Sequence, residues 1–278
     1  MKIGCNTLYP FGELQNSASF TVEALKAALD KLQRVGYEAT EYSHACHLSL
    51  DEACLVGEYA RARGIESWSV HAEGPVDFRP GTGIEDSQAS LRHCLDVCAA
   101  LGGKVVVVHA PCRWGLLLPE DVSVEEEMAR DLRILEPICE RAQELGLELA
   151  LENGHDLAHM EYVLQLVERL SSPHVGICVD TGHAHLGDLG AARAVRLAGS
   201  KLYTTHLQDN IGQVDDHMPP GQGTIDWPQV FAALREVGYH RPLILELTDR
   251  AKHRPYDQDL ELRQGWENTR RFALAYLG

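Results

Sequence analysis

Residues 99–109 read AALGGKVVVVH: the tail of an amphipathic helix, a pair of glycines, a run of valines and a histidine. Glycine supplies the left-handed turn that ends a helix, and an unbroken β-branched run reads as a strand buried on both faces. The same phrase recurs as LQRVGYEATEY (32–42), ARARGIESWSVH (60–71), AQELGLELALE (142–152) and LREVGYHRPLILE (234–246). The repeat predicts strands near 2–6, 37–42, 66–71, 104–109, 147–152, 175–180, 201–206 and 242–247, with helices between them and one after the last. Helix starts agree. Ser49 with Glu52 and Ser123 with Glu126 have capping-box spacing, the Glu-rich 125–128 reads as a first turn complementing its dipole, and Asp226 before Trp227-Pro228 reads as an N-cap. Eight strands alternating with eight helices imply a parallel sheet covered by helices. With no composition break or linker, one α/β domain over residues 1–278 is expected, a closed (β/α)8 TIM barrel, with a doubly wound open sheet as the second choice.

Composition narrows the partners. The 278 residues are 45% hydrophobic and 24% charged, without a long apolar run or a charged-then-apolar leader, so a soluble, cytoplasmic protein with no membrane partner is expected. A net charge of -16, from 41 acidic and 25 basic residues, disfavours a nucleic-acid partner, whose phosphates reward a basic surface. The eight cysteines form no C-x-x-C and read as reduced, mostly buried thiols.

The last residue of each strand from the third to the eighth carries the chemistry: His71, His109, Glu152, Asp180, His206 and Glu246. Taken singly, each reads as well as a hydrogen-bonded or salt-bridged strand end. Barrel strand ends converge on one mouth, however, and charged groups there are costly to desolvate unless paired or bound to a shared cation. Imidazole with carboxylate suits a divalent Zn, Mn, Co or Fe ahead of Mg. His93, within a helix, and His240, just before a strand, read as packing or surface residues; His44, His47, His155, His185 and His253 fall in loops near the mouth. The stretch HLQDNIGQVDDHMPPGQGTIDW (206–227) is too polar for core and too ordered in its Pro and Gly placement for a linker. In an extended loop, the one-residue spacing of Asp215 and His217 would point both side chains the same way.

Together GICVDTGHAHLGD (176–188), ALENGHD (150–156), VVVVHAP (105–111), SVHAEGP (69–75) and residues 206–227 resemble the xylose-isomerase-like TIM-barrel superfamily. That group contains sugar isomerases and epimerases, dehydratases of inosose and dehydroshikimate, and abasic-site nucleases of the endonuclease IV type. The isomerase resemblance implies one divalent ion held by Glu152, Asp180, His206 and Glu246. The nuclease resemblance adds His71 and His109, then His183, Asp215 and His217, for up to three ions per chain. Against a duplex substrate, the loops 43–52 and 72–86 are acidic or neutral, and Arg79 and Arg113 are isolated. The leading expectation is a metal-dependent isomerase or epimerase of a small sugar or polyol-derived carbonyl compound. It would work through an enediolate, with Glu152 and Glu246 as the acid/base pair, His183 on a substrate hydroxyl and Trp114 or Phe78 walling the pocket. A multi-metal phosphodiester hydrolase and a dehydratase are the alternatives; a non-enzymatic binding barrel ranks last. The resemblance is compatible with a homo-oligomer.

Overall fold

The computed structural model describes residues 1–7, 20–72, 83–109, 122–247 and 257–278; Phe78, Trp114 and His253 lie outside them. The strands are β1 Ile3–Asn6, β2 Ala39–Tyr42, β3 Glu66–His71, β4 Val105–His109, β5 Glu148–Glu152, β6 Val175–Asp180, β7 Leu202–His206 and β8 Leu243–Leu245. They form one 8-stranded sheet in the order β7-β6-β5-β4-β3-β2-β1-β8, and a parallel bridge between Leu207 and Leu245 joins its two ends. Every described strand pair is parallel, and the bridge that joins the two ends makes the sheet a barrel and not the open doubly wound alternative.

The helices are α1 Val22–Val35, α2 Leu50–Ala62, α3 Ile84–Leu101, α4 Val124–Leu145, α5 Leu157–Leu170, α6 Thr181–Leu186, α7 Ala191–Ala198, α8 Trp227–Glu236 and α9 Gln258–Tyr276. Both capping boxes are formed, and the Asp226 side chain accepts the Gln229 N–H while Pro228 occupies the first turn of α8. One departure from the expected eight helices bears on function: β6 is followed by two helices, the short α6 and then α7. Asp180, expected only as a strand end, also caps α6 by accepting the His183 N–H. Gly187 ends α6 where a Cβ would lie 2.4 Å from the carbonyl oxygen of His155, so the backbone can pass only without a side chain.

Inside the barrel, Ala39, Trp68, Val105, Val107, Ala150, Cys178, Tyr203 and Ile244 pack together, while Val106, Val108, Leu149 and Leu151 face the helices. Side chains alternate along a strand, so the inward positions 39, 107, 150, 178 and 244 carry Glu41, His109, Glu152, Asp180 and Glu246 inward two residues later. β3 and β7 reach the same phase through bulges. Their registers run Thr40 to Ser67 then Glu41 to Ser69, and Ile177 to Leu202 then Cys178 to Thr204, leaving Trp68 and Tyr203 as extra residues. An extra residue re-aims the side chains beyond it, and here it brings His71 and His206 to the inner face. Trp68 donates its indole N–H to Thr204 Oγ1 at 3.0 Å, tying the two bulges across the barrel. Among the described residues no helix is long and apolar enough to cross a membrane, and the described cysteines are free.

Candidate metal centre and active site

His206 stands at the middle of the strand-end ring. Its Nδ1 lies 3.0 Å from Glu152 Oε1 and 3.4 Å from Glu246 Oε2, while Nε2 lies 2.9 Å from Glu41 Oε1. The other oxygen of Glu152 is 3.4 Å from His71 Nε2 and 3.3 Å from His109 Nδ1, so this one carboxylate joins two groups. Ligand atoms of Glu152, Asp180, His206 and Glu246 all lie within 4.8 Å of one another, as do those of His71, His109 and Glu152, and those of His183, Asp215 and His217. Each residue singled out at the strand ends, and the pair from the 206–227 loop, is thus brought together.

Charge is crowded here. Burial alone would raise the pKa of Glu152, but His109 and His206 hold it well below the usual carboxylate range. Burial likewise opposes the shift of Glu246, which His206 and His217 lower to about 2. Asp180 is pushed up to about 7 by burial, against the pull of His183. His183 is depressed by burial yet raised to about 10 by Asp180 and Asp215. Protonated imidazoles are what balance these carboxylates in the protein alone, and a divalent cation supplies the same charge in their place. The donor set fits such an ion: it mixes imidazole with carboxylate, and the buried Oε2 atoms of Glu152 and Glu246 have no hydrogen-bond partner among the described residues.

The loop after β7 is built on a residue that carries no signal in the sequence. Asp209 accepts the N–H groups of Asn210 (2.9 Å), Gly221 (2.9 Å) and Ile225 (3.2 Å) and the Trp227 indole N–H (2.7 Å), and its backbone pairs with Met218. Gly221 adopts φ +85°, and a Cβ on Gly223 would fall 2.3 Å from the Asn210 carbonyl oxygen. Asp215 and His217 do converge, with His217 Nε2 2.8 Å from Asp215 Oδ2, but not along an extended backbone: His217 is left-handed at φ 49°. Gln208 ties the loop to β6, its amide N–H groups reaching Asp180 Oδ1 at 3.2 Å and Asp215 Oδ1 at 2.6 Å. Gly182 makes room for that amide, since a Cβ there would meet it at 2.1 Å.

Asn153 performs the same service for β6 and α6: its Oδ1 accepts the Asp180 N–H at 2.8 Å, and its carbonyl accepts His183 Nδ1–H at 3.1 Å. That bond leaves His183 Nε2 facing Asp215 Oδ2 at 3.7 Å. Among the remaining histidines, His93 and His240 are exposed, as expected. His44 packs against Phe20, and His155 lies with its ring 5.7 Å from that of His183. His185, expected in a loop, belongs to α6 and bonds Thr224 Oγ1 at 2.8 Å.

A family model described as xylose isomerase-like TIM barrel matches residues 29–271. The chain belongs to this family. It is 25% identical over 237 residues to D-psicose 3-epimerase of Enterocloster bolteae, covering 80% of this chain and 76% of that one. It is also 25% identical over 237 residues to inosose isomerase of Bacillus velezensis, covering 80% and 83%. The solved structure of the IOLI protein with a binding zinc atom has the same fold, with a TM-score of 0.77 at 21% identity over 99% of both chains.

Proposed function

We propose that the chain is a divalent-metal-dependent isomerase or epimerase of a small sugar or polyol-derived carbonyl compound. The observation that carries this reading is the pair Glu152 and Glu246, two ionised carboxylates at the ends of β5 and β8, each close to His206 Nδ1. The names of the relatives, D-psicose 3-epimerase and inosose isomerase, support it, and the zinc atom of the IOLI protein supports a divalent ion. Glu152, Asp180, His206 and Glu246 would hold that ion. When bound, it supplies the positive charge that draws in adjacent substrate oxygens and stabilises the enediolate.

The chain's own residues do the rest. One glutamate takes the proton from the carbon beside the carbonyl, and the other returns a proton from across the site. His183, with Nδ1–H held by the Asn153 backbone carbonyl and Nε2 turned toward Asp215, would sit against a substrate hydroxyl. Trp114 and Phe78 are proposed as pocket walls on sequence grounds.

A second reading has one specific observation in its favour: the groups His71–His109–Glu152 and His183–Asp215–His217 flank the primary four residues. Such a set suits up to three ions and phosphodiester hydrolysis, although the net charge of -16 opposes a nucleic-acid substrate. A dehydratase would use the same carboxylates. The discriminating experiment is turnover in D2O with Mn- or Co-loaded protein on a panel of ketohexoses and inososes. Solvent deuterium is expected in the product at the carbon next to the carbonyl. Conversion without deuterium overturns the proton-transfer mechanism, and cleavage of a phosphodiester in place of sugar conversion favours the second reading.

A further inference from the structure

Glu41 is not a strand-end residue, because β2 ends at Tyr42. It is fully buried and sits on the inner face of β2, two residues beyond Ala39 of the barrel interior. Its carboxylate meets two groups. Ser69 Oγ donates to Glu41 Oε2 at 2.7 Å, and His206 Nε2 lies 2.9 Å from Oε1 and 3.1 Å from Oε2. The Trp68 bulge makes this possible, since it pairs Glu41 with Ser69 where unbroken register would have placed Trp68. Among the described residues, Glu41 joins none of the donor groups suited to an ion.

We propose that Glu41 is a positioning residue that takes the Nε2–H of His206 and so presents the Nδ1 lone pair to the space between Glu152, Asp180 and Glu246. A carboxylate only accepts hydrogen bonds, so the imidazole nitrogen facing it must carry the hydrogen. A neutral imidazole has one N–H, and fixing it on Nε2 leaves Nδ1 as the donor atom toward Glu152 and Glu246. The Ser69 hydroxyl holds the carboxylate in place, and the negative charge behind the ring increases the basicity of Nδ1. The inference rests on the reading that this ring holds a divalent ion.

The test is zinc affinity by competition with a chromophoric chelator, in wild type, E41Q, E41A and S69A, beside the Co(II) absorption spectrum and thermal unfolding of each ion-free protein. The glutamine carbonyl can still accept Nε2–H but brings no charge, so E41Q is expected to bind zinc roughly 10-fold more weakly, and E41A roughly 100-fold. S69A, which keeps the carboxylate, is expected to lose less than E41Q. The Co(II) bands are expected to shift in E41A, where either ring nitrogen can be presented, while ion-free E41Q keeps a cooperative unfolding transition. A purely structural role would lower unfolding temperature without moving affinity or spectrum. Should E41A fail to fold, E41Q and S69A decide. Wild-type affinity in E41Q, to within about twofold, overturns the role of Glu41 alone; a wild-type protein that takes up no divalent ion overturns both this role and the reading beneath it.

Discussion

Glu246→Gln is expected to lower kcat on the identified sugar by ~10³-fold or more while leaving bound ion and KM largely in place, the scale of loss typical for removing a positioned acid/base. Glutamine keeps the length and one coordinating oxygen of glutamate but cannot take up or release the proton. Glu246 is the sharper of the two glutamates to test. Its side chain stays 15% exposed at the mouth, and its close contacts are His206 and His217. Glu152 is fully enclosed and touches His71, His109, His183 and His206, so E152Q should damage ion binding and turnover together. Steady-state kinetics with metal analysis of each variant separates the cases. Turnover by ion-loaded E246Q at the wild-type rate would remove Glu246 from the acid/base pair.

Stripping the protein with a chelator is expected to abolish turnover to a similar degree, ~10³-fold or more, with recovery on adding back Mn, Co or Zn. The pH dependence has a definite sign. In the protein alone, His183 is raised to about 10 despite burial, by Asp180 and Asp215. Burial also opposes the shift of His206, yet Cys178, Glu41, Glu152 and Glu246 hold it well above the usual histidine range. The His206 proton must leave Nδ1 for that nitrogen to coordinate, and the His183 proton leaves only where that ring takes up a further ion. Ion uptake therefore releases protons and weakens as pH falls, by about tenfold per unit for each proton displaced. Calorimetry in buffers of different ionisation enthalpy counts them. Uptake without proton release would mean that His206 is not a donor.

The barrel was legible because its signal is local and repeated. Residues 99–109 alone contain a helix end, a turn and a buried strand, and the pattern returns along the chain. The convergence of the strand-end side chains was legible because polar residues stand out at the ends of apolar strands. Glu41 was hidden for the complementary reason: it lies one residue before the end of β2, and only the alternation fixed by Ala39 and the bulge at Trp68 turns it inward. Neither bulge leaves a mark in local sequence, since each depends on pairing with a neighbouring strand. Asp209 and Gln208 escaped notice because their partners, from Asp180 to Trp227, are assembled by the fold and not by spacing. The short α6 has the same cause, with Asp180 serving the ring and the helix cap at once.

The most direct test of the central assignment is anomalous diffraction from crystals grown with Mn(II). The expected result is a peak enclosed by the carboxylates of Glu152, Asp180 and Glu246 and by Nδ1 of His206. Manganese bound elsewhere, with that ring bare, would contradict it.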